Sequence, residues 1–263
     1  MSDPSAAPAG SPGTALVTGP TSGLGHEFAR QLAARGHDLV LVARNEARLA
    51  EVAAELREVY GVAVEVLPAD LVDRESLATV ERRLADRSRP VEILVNNAGF
   101  GLKDNFLDNT IEQEQAHLDV LVVAPMRLAH AALGAMVERG HGKLLNVSSV
   151  SAFLPRGTYS AAKAWVNRFS EWAHHEYGPR GVTVTALCPG FVRTEFHQRL
   201  GSDTDSAPSF LWLDADYVVT QALADLDAGK VLSIPSVRYK TITTTARLVP
   251  GGLLQRLQSL GRK

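Results

Sequence analysis

Tyr159 and Lys163 stand four residues apart. The segment Thr158–Tyr177 reads as a helix, which puts both on one helix face. A tyrosine with a pKa of about 10 is a poor proton donor or acceptor at neutral pH. A neighbouring ammonium favours the phenolate and brings that pKa toward the working range, so the pair reads as an acid–base device. In an arbitrary helix the same spacing would mean nothing. Here Ser148-Ser149 stand just upstream, and a glycine-rich turn lies near the start of the chain.

That turn runs Thr18-Gly19-Pro20-Thr21-Ser22-Gly23-Leu24-Gly25. It follows the first strand-like run and opens the first helical one, the setting in which such a turn binds a dinucleotide. Gly19, Gly23 and Gly25 let the backbone approach a pyrophosphate. Thr21, Ser22 and Leu24 belong to the same cradle at the helix N-terminus, where free N–H groups and the positive dipole end meet the phosphates. The second strand ends Leu41-Val42-Ala43-Arg44-Asn45. An acid there would bind the 2′-hydroxyl of NAD. Ala43 is not an acid, and the Arg44 guanidinium suits a 2′-phosphate, so the expected cofactor is NADP(H) in preference to NAD(H). Arg48 could assist or be a solvated charge.

The elements that must position these groups alternate. Strand-like runs are Ala15–Thr18, Asp38–Ala43, Ala63–Leu67, Ile93–Val95, Lys143–Val147 and Val182–Leu187, with a seventh at Lys230–Ile234. Helical patterns cover Gly23–Arg35, Glu46–Tyr60, Arg74–Asp86, Ile111–Glu138 and Thr158–Tyr177. Strand then helix, repeated, implies an α/β fold of the Rossmann type, a doubly wound parallel sheet of about seven strands with helices on both faces.

Together the motifs resemble the short-chain dehydrogenase/reductase family. The Thr-Gly-xxx-Gly-x-Gly turn, Asn96-Asn97-Ala98-Gly99 after the fourth strand, Ser148-Ser149 closing the fifth, Tyr159-x-x-x-Lys163, and Pro189-Gly190 with Val192 and Thr194 occur in that family's order between Thr14 and Leu200. The resemblance implies hydride transfer between nicotinamide and a carbonyl or alcohol. Tyr159 would then move the proton. Lys163 would lower its pKa and hold the nicotinamide ribose. Ser149, rather than Ser148, would polarise the substrate oxygen. It also implies that Asp70 meets the adenine edge and Leu71 its face. Asn97, Ala98 and Gly99 would line the adenosine ribose side, and Pro189, Gly190, Val192 and Thr194 would complete the cofactor site. One departure stands out. Many members carry an asparagine in the long fourth helix that helps hold a water in a proton relay. Aligned on Ala124-Pro125-Met126-Arg127-Leu128, that position is Leu121, and Thr110 to Lys143 contains no asparagine. His117 and Asp119 are close in sequence but read as out of helical phase with that position.

The 263 residues carry 27 basic and 29 acidic side chains, a net charge of -2 that argues against nucleic acid as a partner. One cysteine, Cys188, excludes an internal disulfide and suits a reducing, cytoplasmic setting. It reads as a small core residue rather than a nucleophile. Residues 1–13 read as a disordered tail without signal-peptide features, and residues 14–263 as one catalytic domain. No uninterrupted apolar run reaches the ~18–20 residues that span a bilayer. A substrate loop is expected at about 195–215 and an amphipathic segment at about 246–263. The latter could touch a membrane surface, although packing on its own domain is the plainer reading. His174-His175 lack ligand spacing, so no metal is expected. Trp165 and Trp172 form a stripe, either core or a subunit face, and the resemblance implies a homodimer or homotetramer. Phe100, Phe153, Leu154, Phe191, Phe196, Phe210, Leu211 and Trp212 fall in segments bordering the expected crevice, which suggests a hydrophobic carbonyl or alcohol as the small-molecule substrate. Leu121 keeps a second reading open: a catalytically weakened dinucleotide-binding regulatory or interaction protein.

Overall fold

The computed structural model describes residues 12–194 and 208–248. The strands β1 (Thr14–Thr18), β2 (Asp38–Ala43), β3 (Val64–Pro68), β4 (Val91–Asn96), β5 (Gly142–Val147), β6 (Val182–Leu187) and β9 (Leu232–Ser233) form one sheet. Its order is β3-β2-β1-β4-β5-β6-β9, and every pairing is parallel. Two further short strands, β7 (Phe191–Val192) and β8 (Trp212–Leu213), pair with each other beyond the end of β6. The helices are α1 (Gly23–Ala34), α2 (Glu46–Tyr60), α3 (Arg74–Ala85), α4 (Ile111–Leu118), α5 (Ala124–Arg139), α6 (Gly157–Tyr177), α7 (Ala215–Asp227) and α8 (Val237–Leu248).

Apolar residues on both faces of each strand force helices onto both faces of the sheet. Along β1 the period of two separates the layers. Ala15 and Val17 join Phe28 and Leu32 of α1, Leu49 and Leu56 of α2, and Val218 and Leu223 of α7. Leu16 joins Leu77 and Val80 of α3, Leu128 and Met136 of α5, and Ala173 of α6. The chain reverses direction across the sheet between β1 and β4. The carboxyl ends of these two strands therefore flank the crevice where a doubly wound sheet binds its ligands.

Several sequence expectations shift. Strand β4 is longer than Ile93–Val95, and β9 shorter than Lys230–Ile234 because only Ala186 and Leu187 offer it partners. The helix expected over Ile111–Glu138 is interrupted by a π-turn, Asp119–Val123, whose last bond runs from the Ala124 N–H to the Asp119 carbonyl. By length and composition Ile111–Arg139 could cross a membrane, contrary to the reading of short apolar runs alone. Its α5 portion instead covers the sheet. Of the expected N-terminal tail, residues 1–11 lie outside the described residues. Gly13, by contrast, is tied in, its carbonyl 3.0 Å from His37 Nδ1. Residues 195–207 of the expected substrate loop also lie outside the described residues. The remainder is not irregular: Ser209–Leu211 forms a 3-10 turn leading into β8. Helix α8 takes up residues 246–248 of the expected amphipathic segment, and residues 249–263 lie outside the described residues.

Candidate active site

The glycine turn is held from the β4 side. The Asn97 amide donates to the carbonyls of Thr18 (2.9 Å) and Gly19 (3.1 Å). The Asn97 and Ala98 backbone N–H groups both donate to Thr18 Oγ1 at 3.0 Å. Three glycines make that closeness possible. Gly19 has φ +67, and a Cβ there would lie 3.1 Å from the Ala98 Cα. Gly23 has φ +56 and faces the Thr194 side chain. A Cβ on Gly25 would land on the Gly19 carbonyl oxygen and the Asn97 amide. Ser22 occupies the N-cap position of α1, whose first N–H groups face the turn. The result is a backbone cradle at a helix N-terminus that only glycine permits, and it fits a dinucleotide pyrophosphate.

Around this cradle the expected cofactor residues take distinct places. Arg44 is exposed at the end of β2 and makes no ion pair with a described residue, whereas Arg48 is engaged with Glu51 at 2.6 Å. Asp70 accepts the Val72 N–H at 3.0 Å, and Leu71 is 8% exposed, with most of its side chain in the core beneath. Asn97 turns its amide N–H groups to the glycine turn and so serves structure there. Gly99 lies against Leu121, whose Cδ2 would stand 2.9 Å from a Cβ at that position. The Pro189 carbonyl accepts the Val150 N–H at 3.0 Å, which joins the segment after β6 to the serine segment after β5. Val192 is buried in the core, and Thr194 reaches the glycine turn.

The three expected chemical groups converge at the carboxyl ends of β5 and β6. Ser149 caps the 3-10 turn Val150–Phe153 by accepting the Ser151 N–H at 3.1 Å, and it also hydrogen-bonds the Tyr159 phenol. Ser148 faces the other way: its hydroxyl donates to the Lys163 backbone carbonyl at 3.0 Å. The Lys163 side chain is buried, its ammonium donating to the Val147 carbonyl at 2.7 Å and standing 5.7 Å from the Tyr159 ring centre. Burial pushes the Tyr159 phenol up to about 12, with the Ser149 hydrogen bond opposing. Burial also brings Lys163 down to about 8. Nζ is directed at the Val147 carbonyl, and the loss of water around the phenol is the larger of the two effects that act on it, ahead of the Ser149 hydrogen bond.

Two site residues escaped the sequence reading. His117, set aside as out of phase, lies against the Tyr159 ring, with centres 6.0 Å apart and planes at 28°, and against Phe100 at 5.4 Å. It precedes Leu121 by four residues, close to one helical turn, so the phase argument was wrong. Tyr239 on α8 accepts the Phe191 N–H at 3.0 Å and donates to the Leu211 carbonyl at 2.8 Å, pinning the two segments that carry β7 and β8. Its ring occupies the space a side chain at Gly190 would need, so Gly190 is a packing requirement. Phe191 and Trp212 pack ring to ring at 5.4 Å, while Phe210 is exposed. Cys188 is buried and Sγ donates to Asn167 Oδ1, as a core residue would. Among the described residues no group of side chains could hold a metal ion.

Residues 13–205 match the sequence model of the short chain dehydrogenases. The chain belongs to the short-chain dehydrogenase/reductase family. A very-long-chain 3-oxoacyl-CoA reductase from Anas platyrhynchos is 34% identical over 191 residues, which are 69% of this chain and 60% of that protein. A short-chain dehydrogenase from Sphingobium yanoikuyae solved with NADPH superposes with a TM-score of 0.82 at 37% identity, covering 94% of this chain and 95% of that one. A bulky-bulky ketone specific alcohol dehydrogenase from Comamonas testosteroni gives 0.79 at 33% identity, covering 94% and 95%. This short-chain dehydrogenase is accordingly an oxidoreductase of CH–OH or C=O groups that uses NAD(P).

Proposed function

We propose that this chain is an NADP(H)-dependent carbonyl reductase or alcohol dehydrogenase for a bulky, hydrophobic ketone or secondary alcohol. The observation that carries the reading is the hydrogen-bonded Ser149–Tyr159 pair with the buried Lys163 ammonium behind it. When bound, NADPH supplies the hydride. Ser149 and Tyr159 hold the substrate oxygen, and the Tyr159 phenol, protonated at neutral pH, gives that oxygen its proton. Lys163 keeps a positive charge beside the phenolate that results. The exposed Arg44 supports a preference for the 2′-phosphate. Phe100, Phe191 and Trp212 near the crevice, and the ketone dehydrogenase that the chain resembles, support a bulky apolar substrate. The aromatic stripe Trp165–Phe169–Trp172 on α6, with Trp172 53% exposed, supports a subunit face in a homodimer or homotetramer.

Leu121, 1% exposed, favours the second reading of a weakened, regulatory dinucleotide binder. The assembled Ser149, Tyr159 and Lys163 weigh against it, because a sensor needs no proton donor. Calorimetric titration with NADPH and with NADH tests the cofactor. Tight NADPH binding that weakens about 10- to 100-fold in Arg44→Ala, as loss of a charge-assisted hydrogen bond predicts, supports NADP(H). Equal or tighter binding of NADH refutes it.

A further inference from the structure

Carbonyl reduction consumes one proton for every hydride. The hydride goes to the carbonyl carbon and the phenol proton of Tyr159 goes to the oxygen, which leaves a phenolate that must be reprotonated from solvent. Leu121 removes the amide expected to serve that return path, and no asparagine is near it in the helix. His117 occupies the neighbouring turn. It is 2% exposed, its ring lies against Tyr159, and its Nε2 is buried without a hydrogen-bond partner among the described residues. A buried polar nitrogen left without a partner carries a desolvation cost and marks a place where a water or a moving proton belongs.

Resting on the oxidoreductase reading above, we propose that His117 replaces the missing amide as the relay partner of Tyr159 and Lys163. It fixes the phenol by ring contact and passes protons through Nε2. The charged groups facing it are Lys163 of α6 and Glu114 of its own helix, with Tyr159 against its ring and a hydrogen bond to the Phe100 backbone at its edge. Glu114 is itself buried and accepts from the Asn109 amide at 2.9 Å. Asp119 does not belong to this group, since it pairs with Arg74 of α3. Burial holds the imidazole below its ordinary pKa; Glu114 opposes this and the Lys163 charge reinforces it, so the ring is neutral at neutral pH. Nε2 can take up a proton and hand it on while the other ring nitrogen keeps its bond to the Phe100 backbone, so the imidazole carries the charge only in passing. Each turnover then moves one proton from solvent through His117 and Lys163 to the Tyr159 phenolate, which balances the one given to the product. The π-turn at Asp119–Val123 starts two residues after His117 and contains Leu121, the kind of helix irregularity that gathers at functional sites.

The test has two arms. In cofactor-free protein, the His117 imidazole is titrated by NMR in the wild type and in Lys163→Met. The expected midpoint lies below the ordinary value of about 6.5 and rises when the Lys163 charge is removed. In the second arm, steady-state reduction of a bulky ketone is measured for His117→Phe, which keeps a ring against Tyr159, and for His117→Phe/Leu121→Asn, which restores the amide. His117→Phe should lower kcat by about 100-fold, the low end of a lost proton-transfer contribution, with KM for ketone and NADPH nearly unchanged. The acid limb of its pH profile should change, and the double variant should recover most of the loss. An unchanged kcat in His117→Phe overturns the proposal, as does a loss that Leu121→Asn does not repair and that leaves the pH profile unaltered. If the wild type reduces nothing, the oxidoreductase reading fails by itself. The NMR arm then still decides, since a His117 that titrates at the ordinary value and ignores Lys163→Met overturns the relay.

Discussion

Lys163→Met keeps the length of a buried side chain and removes its charge. Lys163 is 5% exposed and its pKa is brought down from 10.5 to about 8 by burial, so the folded protein binds this proton less tightly than the unfolded chain does. A depressed folded value means that wild-type stability rises with pH between the two values, because the unfolded chain carries more protons there. At about 1.36 kcal/mol per unit the full effect is about 3 kcal/mol, of which about 2 kcal/mol falls between about pH 7 and about pH 9.5. Urea unfolding of wild type and Lys163→Met at those two pH values isolates the contribution, since other titrations cancel in the double difference. The wild type should gain about 2 kcal/mol more than the variant over that interval. Equal responses of the two proteins would refute the claim that a charged lysine is buried at the site. The variant also loses the hydrogen bond to the Val147 carbonyl, which shifts its stability at both pH values alike.

The pH dependence of turnover follows from the same groups. With Tyr159 near 12 and Lys163 near 8, reduction should be level from about neutral pH, above the acid limb that His117 sets, to about pH 8, and decline beyond it as the ammonium is lost. Oxidation of the alcohol needs the phenolate and should instead rise with pH, a contrast that steady-state profiles in both directions would reveal or deny. Gly25→Ala places a methyl against the Gly19 carbonyl and the Asn97 amide. It should cost about 1–3 kcal/mol of stability, in line with overpacking elsewhere, and abolish NADPH binding. A variant that melts and binds like wild type would show that the turn has room to spare.

The aliphatic and β-branched runs Asp38–Ala43 and Val182–Leu187 betrayed their strands to the residue, because a strand covered on both faces is built mostly from such side chains. The glycine turn was legible because the backbone crowding around Gly19 and Gly25 admits one residue type. Helix α8 was not. Its Thr241-Ile242-Thr243-Thr244-Thr245 run is β-branched and suggests a strand. The structure accommodates it by turning the Thr241, Thr243 and Thr245 hydroxyls back to carbonyls four residues earlier and burying Tyr239. Strands β7 and β8, two residues each, are too short for a period to register. His117 does not announce itself beside Leu121, yet a separation of four keeps the two on nearly the same helix face. The signal was present: a histidine one turn from the position of the absent amide. The Tyr159 pKa could not be read from spacing, because it depends on where the Lys163 ammonium points and on how little water reaches the phenol.

In the proposed reaction Tyr159 protonates a carbonyl while NADPH reduces it. It is tested most directly by supplying C4-deuterated NADPH and a bulky ketone to wild type and Tyr159→Phe, and measuring deuterium in the alcohol. Label at the carbinol carbon is expected with wild type, with a rate loss of about 10²- to 10⁴-fold and retained NADPH binding in the variant. Equal label transfer by Tyr159→Phe would contradict it.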